Sequence, residues 1–269
     1  MVFSSPVFLF LFLTAVYILY RIIPTIKAKN ALLLIFSIAF YTYGEPKAVV
    51  LMLISICMNY IFGLGMKSEN KARKAILAIS VAANLIMLGI FKYAGFGAEM
   101  LNKLPFVSVT VPKIALPIGI SFYTFQAMSY VIDAYKDPKY IQKSPFKLAL
   151  YITLFPQLIA GPIVKYYDIA EQIDHRESTP EMTAKGIRRF ILGLSKKLLI
   201  ANTMAAADYV YALDNSHLSA SLAWLGAVSY LFQIYFDFSG YSDMAIGLGA
   251  MFGFRFKENF NYPYISQSM

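Results

Sequence analysis

The apolar residues of this chain arrive in runs, and the length of those runs constrains the fold more than any short motif does. A helix needs about 20 predominantly apolar residues to cross a hydrocarbon core of roughly 30 Å. Four segments in succession approach or reach that length: Phe3–Ile23, Ala31–Tyr43, Ala48–Met66 and Ala75–Tyr93. The second is short, and reads as tilted, interfacial or longer than its apolar centre. Only 14% of residues are charged and 58% are hydrophobic, whereas a soluble domain carries about a quarter charged residues. The expectation is an all-α, polytopic membrane protein, with residues 1–269 forming a single membrane domain.

Charge gives the orientation. Arg21, Lys27 and Lys29 follow the first segment, and Lys67, Lys71, Arg73 and Lys74 follow the third, while the intervening loop carries only Glu45 and Lys47. Basic loops stay cytoplasmic, which puts the N-terminus outside. The net charge of +9 therefore reads as attraction to anionic lipid. No nucleic-acid-binding signature accompanies it. The opening MVFSSPVFLFLFLTAVYILYRII lacks a basic leader and a small-residue cleavage site, so it reads as a retained span. Cys57 is the only cysteine and sits within an apolar run, as a packed thiol.

Beyond Tyr93 the pattern loosens, and residues 94–114, with Gly95, Gly97, Pro105 and Pro112, read as an external loop. In ALPIGISFYTFQAMSYVIDAY the residues Gln126, Ser129, Tyr130 and Asp133 fall at i, i+3, i+4 and i+7, one polar stripe on an apolar helix. That stripe must face a cavity or another helix. LALYITLFPQLIAGPIVKYY is interrupted by Pro156 and by Gly161–Pro162, as in helices broken at membrane depth. Ile187–Ala206 alternates apolar residues with Arg188, Arg189, Lys196 and Lys197, and is expected to lie on the cytoplasmic leaflet.

The segment QIYFDFSGYSDMAIGLGAMFGF embeds Gln233, Tyr235, Asp237, Ser239, Tyr241 and Asp243 in a lipid-like run. A carboxylate there is costly unless paired or wet, so such residues mark a pathway or a site. Gln233, Asp237 and Tyr241 would share one face of a continuous helix, whereas Gly240 offers a break between Ser219–Phe238 and Tyr241–Phe254. These groups could line a cavity, or form a buried hydrogen-bond network with Asp243 as a helix cap. Gly249 and Gly253 suggest close helix packing. His175 and His217 lie in polar segments and read as solvated loop residues, and no histidine, cysteine or carboxylate spacing suits a metal. No nucleophile elbow, P-loop, HExxH or dinucleotide fingerprint is present.

Three segments together, LPIGISFYTFQAMSYVIDAY, FPQLIAGPIVKY and YFDFSGYSDMAIGLGAMFGFRFKENFNYPY, resemble the membrane-bound O-acyltransferases. The bacterial branch that modifies alginate by O-acetylation and lipoteichoic acid by D-alanylation is the most similar part of that family. The resemblance implies a multi-helix bundle with broken helices around a funnel, in the bacterial cytoplasmic membrane. It implies an acyl donor on the cytoplasmic side, an acyl-CoA or acyl carrier protein, with no bound cofactor. It also implies transfer to an exported polysaccharide, by way of an extracytoplasmic acyltransferase or polysaccharide partner. The family's catalytic histidine follows the tyrosine-proline stretch that matches Asn261–Ile265, so it is expected beyond Met269, leaving residues 1–269 without a catalytic residue and inactive alone. Gln126, Ser129, Asp133, Gly161, Pro162, Gln233, Tyr235, Asp237, Ser239, Tyr241 and Asp243 are then candidates for lining or supporting the tunnel. A non-catalytic truncated membrane scaffold is the alternative, and a secondary transporter the third reading.

Overall fold

Hydroxyl caps start three of the long helices where the sequence turns apolar. Thr25 accepts from the Ala28 amide, Thr179 from Met182 and Ser219 from Leu222, each satisfying a donor that the first helical turn leaves unpaired. In the computed structural model the described residues are 2–67, 70–104, 106, 108–112, 114–158, 161, 164–213, 218–261 and 263–267. Among them there is no strand. A wide-turn segment, Val7–Leu13, runs into α1 (Thr14–Ile22). Then come α2 (Ile26–Gly44), α3 (Ala48–Gly65), α4 (Asn70–Leu101) and α5 (Ile120–Lys136). Shorter helices follow: α6 (Pro145–Thr153), α7 (Phe155–Leu158) and α8 (Tyr166–Asp174). The chain closes with α9 (Pro180–Ser195), a wide-turn segment Lys196–Ala201, α10 (Asn202–Met204), α11 (Ala207–Tyr211) and α12 (Ala220–Met251). Among the described residues three stretches are long and apolar enough to cross a membrane: Ala48–Gly65, Lys71–Leu101 and Pro180–Tyr211.

Two compact units result, one of residues 25–159 and 164–174, the other of residues 1–24, 160–163 and 175–269. In the first, α3 and α4 are joined by two fully buried asparagines. Asn59 Nδ2 donates to Asn84 Oδ1 at 3.1 Å and Asn84 Nδ2 donates back to Asn59 Oδ1 at 2.8 Å. Paired amides of this kind hold apolar helices in register where burial of hydrocarbon alone gives no direction. The α6–α7 break comes at Leu154, whose non-helical backbone frees the Phe155 amide to donate to Ser37 Oγ of α2 at 3.1 Å.

In the second unit, α9 and α12 run along each other at close range. A Cβ on Gly186 would lie 2.6 Å from Gly247 O, and one on Gly193 would lie 2.5 Å from Gly240 O. Two glycines seven residues apart on each helix therefore meet in pairs, bringing backbones into contact as only small residues allow. The end of α12 is held by Arg176, whose Nε donates to Phe252 O at 3.1 Å, beside the Tyr20 hydroxyl, which donates to the same carbonyl at 2.6 Å. A cation at a helix C-terminus meets the negative end of the dipole.

Several sequence expectations need correction. The chain does not break at Gly240: α12 is continuous from Ala220 to Met251, and the missing side chain serves contact with Gly193 instead. The external loop does not begin at residue 94, because α4 continues through Gly95 and Gly97 to Leu101. The second apolar segment lies within a longer helix, Ile26–Gly44, 19 residues capped by Thr25, which is one of the alternatives its short apolar centre left open. Gly253 lies past the helix end with φ +84°, a left-handed turn that glycine adopts without strain, and a Cβ there would lie 3.0 Å from Glu177 O. Gly249 does pack closely, against the Phe256 ring. Within Ile187–Ala206, Arg189, Lys196 and Lys197 turn to the carboxylates of α12, while Arg188 is exposed.

Candidate functional site

The polar residues singled out in the sequence fall into two clusters, one within each unit. In the unit containing α12, Asp243 is 16% exposed and accepts from Arg189 Nε and Nη2 at 3.1 and 2.8 Å, and from Lys196 Nζ at 2.6 Å. Arg189 also pairs with Glu258. Asp237, 52% exposed, pairs with Lys197. Three cations thus meet three carboxylates, so the group is neutral as a whole. Carboxylates in an apolar setting persist when paired this way. The wide-turn segment begins at Lys196, where the Asn202 amide bonds to Lys197 O. That local widening accompanies two successive lysines that reach two different aspartates of one helix.

Tyr241 is buried and stacks on Phe3 with ring centroids 4.7 Å apart. Tyr235 meets Phe260 and Tyr264 edge-on or tilted. The Gln233 Oε1, Ser239 Oγ and Ser242 Oγ atoms are buried with no hydrogen-bond partner. Ser242 was not singled out in the sequence, because serine is common in apolar helices and its burial is a tertiary fact.

In the other unit the α5 stripe docks the start of α8. Tyr167 N donates to Asp133 Oδ2 at 3.3 Å and Tyr166 N donates to Ser129 Oγ at 3.4 Å. Ser129 Oγ in turn donates to Asp133 Oδ2 at 3.5 Å. Asp133 thereby places a carboxylate at a helix N-terminus, where free amides and the dipole favour it. Tyr130 and Tyr151 both meet the Tyr166 ring edge-on, with centroids 4.9 and 5.1 Å away. The Tyr151 hydroxyl donates to Val164 O at 2.7 Å, and Gln157 Nε2 donates to Tyr151 O at 2.6 Å. Gln126 is 2% exposed, yet its Oε1 has no partner, and neither do Gln157 Oε1, Tyr123 OH or Thr124 Oγ1.

Those unpartnered atoms share a chemistry. All are amide or hydroxyl groups, and a buried polar group without a partner costs about 1–3 kcal/mol. Folds keep such groups where a water or a polar substrate meets them. The carboxylates Asp237, Asp243 and Glu258, by contrast, are already paired with Lys197, Arg189 and Lys196. Among the described residues no group of three or more His, Cys, Asp or Glu is placed to hold a metal. Gly161 falls in a bend between helices; Pro162 and His217 lie outside the described residues.

Sequence comparison places these clusters in a known context. The model of the membrane-bound O-acyltransferase family matches residues 50–266. A Pseudomonas aeruginosa protein named "Probable alginate O-acetylase AlgI" is 45% identical over 280 residues, covering 100% of this chain and 53% of that protein. A Helicobacter pylori peptidoglycan O-acetyltransferase is 34% identical over 299 residues, covering 98% of this chain and 56% of that protein. A Bacillus subtilis teichoic acid D-alanyltransferase is 30% identical over 159 residues, covering 56% of this chain and 39% of that protein. The chain spans about half the length of the curated relatives it matches. It is an all-α membrane protein, and it belongs to the membrane-bound O-acyltransferase family.

Proposed function

We propose that this chain forms part of an O-acyltransferase that transfers acetyl groups to an exported cell-surface polysaccharide from within a bacterial cytoplasmic membrane. The observation that carries this reading is identity of 45% across the whole chain to a protein named for alginate O-acetylation. In the reaction, an acceptor hydroxyl oxygen bonds to the acyl carbon of a thioester, the carbon–sulfur bond breaks, and the hydroxyl proton passes to a base. The donor is acetyl-CoA or an acetylated carrier protein on the cytoplasmic side. The acceptor is a polymer, or an extracytoplasmic acyltransferase that passes the group on.

Within residues 1–269 the contribution is passage and support rather than proton transfer. Gln126 and Gln157 in one unit, and Gln233, Ser239 and Ser242 in the other, offer neutral buried hydrogen-bonding atoms, a chemistry suited to an uncharged acyl thioester. Asp237 and Asp243 are held by Lys197, Arg189 and Lys196, and they fix α12, which carries Gln233, Ser239 and Ser242. The test is deletion of the reading frame, followed by measurement of acetate released from surface polymer by mild base. Loss of that acetate, with recovery on complementation, is the expected result. Unchanged ester content after deletion would refute the proposal.

A further inference from the structure

The unit built from α2 to α8 gathers its positive charge at one end. The chain passes from Met66 and Lys67 at the close of α3, through Arg73 at the start of α4, and returns along α5 to Pro138, Lys139, Ile141 and Lys143. These seven residues line a single cavity of ≈ 470 Å³. Four of them are cations. Among the described residues the carboxylate paired with them is Asp137, on Lys139 at 3.0 Å, and that pair is exposed and screened.

Details of the walls point to a built pocket rather than a solvated surface. Arg73 is held by donation to Tyr135 O and lies over the Tyr135 ring, 5.2 Å from its centroid. Its Nε is buried with no hydrogen-bond partner, although a guanidinium N–H is a strong donor. The Lys143 carbonyl accepts from the Tyr60 hydroxyl at 2.8 Å, fixing the return loop against α3. Met66 and Ile141 are buried and supply an apolar floor.

Depth identifies the ligand. Ala48–Gly65 and Lys71–Leu101 are both long and apolar enough to cross a membrane, so Met66, Lys67 and Arg73 stand where two spans leave the hydrocarbon. That is the level of lipid phosphates. The same end carries the basic loop that the positive-inside rule makes cytoplasmic, the face where anionic headgroups and basic pockets between spans meet. We infer that this pocket binds the phosphate of an anionic phospholipid headgroup, with Arg73, Lys67, Lys139 and Lys143 as its ligands. The inference is independent of the acyl-transfer reading.

The test uses the full chain, purified and exchanged into phosphatidylcholine vesicles doped with phosphatidylglycerol, then read by native mass spectrometry for retained lipid. Wild-type protein should retain phosphatidylglycerol over phosphatidylcholine. Each lysine near a headgroup contributes about five-fold in affinity, so Lys139→Gln with Lys143→Gln should lower retention by about 25-fold. Both side chains are exposed, and an unchanged far-ultraviolet spectrum reports that the variant is folded. Lys71→Gln with Lys74→Gln, on α4 but outside the pocket lining, should lower retention clearly less than the pocket pair does. Equal losses from the two pairs would mean diffuse surface attraction and would overturn the site. Binding of inorganic phosphate with the same lysine dependence, but no preference for phosphatidylglycerol, would assign the pocket to soluble phosphates and overturn the lipid assignment.

Discussion

The glycine seam between α9 and α12 makes a demand on side-chain size that can be tested directly. In Gly193→Ala the new methyl would start 2.5 Å from Gly240 O, 2.7 Å from Met244 N and 2.9 Å from Asp243 Cβ. To move from 2.5 Å to an ordinary contact at 3.4 Å, the helices must part by about 0.9 Å. A gap of that size forfeits a quarter to a half of the dispersion energy of the atoms that separate. Overpacking of this kind costs about 1–3 kcal/mol. It also stretches the 2.6 Å Lys196–Asp243 pair, because the displaced carbon is the Cβ of that aspartate. Gly186→Ala meets Gly247 O at 2.6 Å in the same seam, so one separation relieves both clashes and the double variant should lose less than the two single losses combined. The comparison is Gly89→Ala on α4, whose added carbon meets nothing within 4 Å. It should be neutral or stabilising by about 0.5–1 kcal/mol, from reduced backbone entropy alone. Unfolding midpoints from detergent titration of purified protein decide the matter. If Gly193→Ala unfolds at the same midpoint as Gly89→Ala, the close approach of α9 to α12 is wrong.

Other outcomes follow from the two polar clusters. Asp243→Asn leaves Arg189 and Lys196 facing a neutral amide in a largely buried position, and should cost about 1–3 kcal/mol; Asp237→Asn, half exposed beside Lys197, should cost less than about 1 kcal/mol. The same detergent titration ranks them. Asp133→Ala removes the acceptor for the Tyr167 amide, and should cost about 1 kcal/mol, seen as faster amide exchange confined to the first turn of α8. Gln126→Leu replaces a buried amide whose oxygen has no partner, so stability should hold or rise while acetylation by the intact protein falls. A loss of stability with unchanged acetylation would make Gln126 structural only.

Much of the helix plan was readable because hydrophobic run length is a local property. The segment Ala48–Met66 differs from α3 (Ala48–Gly65) by one residue, and the interruption near Pro156 falls at Leu154, between α6 and α7. At Gly240 the reading fails because the glycine answers to a distant neighbour. Gly240 looked like a hinge because its contact, Gly193, lies on another helix, and sequence order does not bring the two together. Their shared signal was present: Gly186 and Gly193, like Gly240 and Gly247, are seven residues apart. The site followed the same rule. The basic face of Ile187–Ala206 and the carboxylates of Asp237 and Asp243 were each visible alone, but charge pairing between helices is a tertiary property. Glu258 gave no local sign of its pairing, since it follows α12 in a segment outside any helix.

The acyl-transfer account is tested most directly by the sidedness of the reaction. Inside-out membrane vesicles from cells carrying the intact reading frame would be given acetyl-labelled coenzyme A, or acetyl-labelled carrier protein, on their exposed cytoplasmic face. The account predicts that base-labile labelled acetate accumulates on polymer or protein inside the vesicle, and that vesicles lacking the frame accumulate none. Equal labelling in the two preparations, or label found only on the outer face, would contradict transfer across the membrane by this protein.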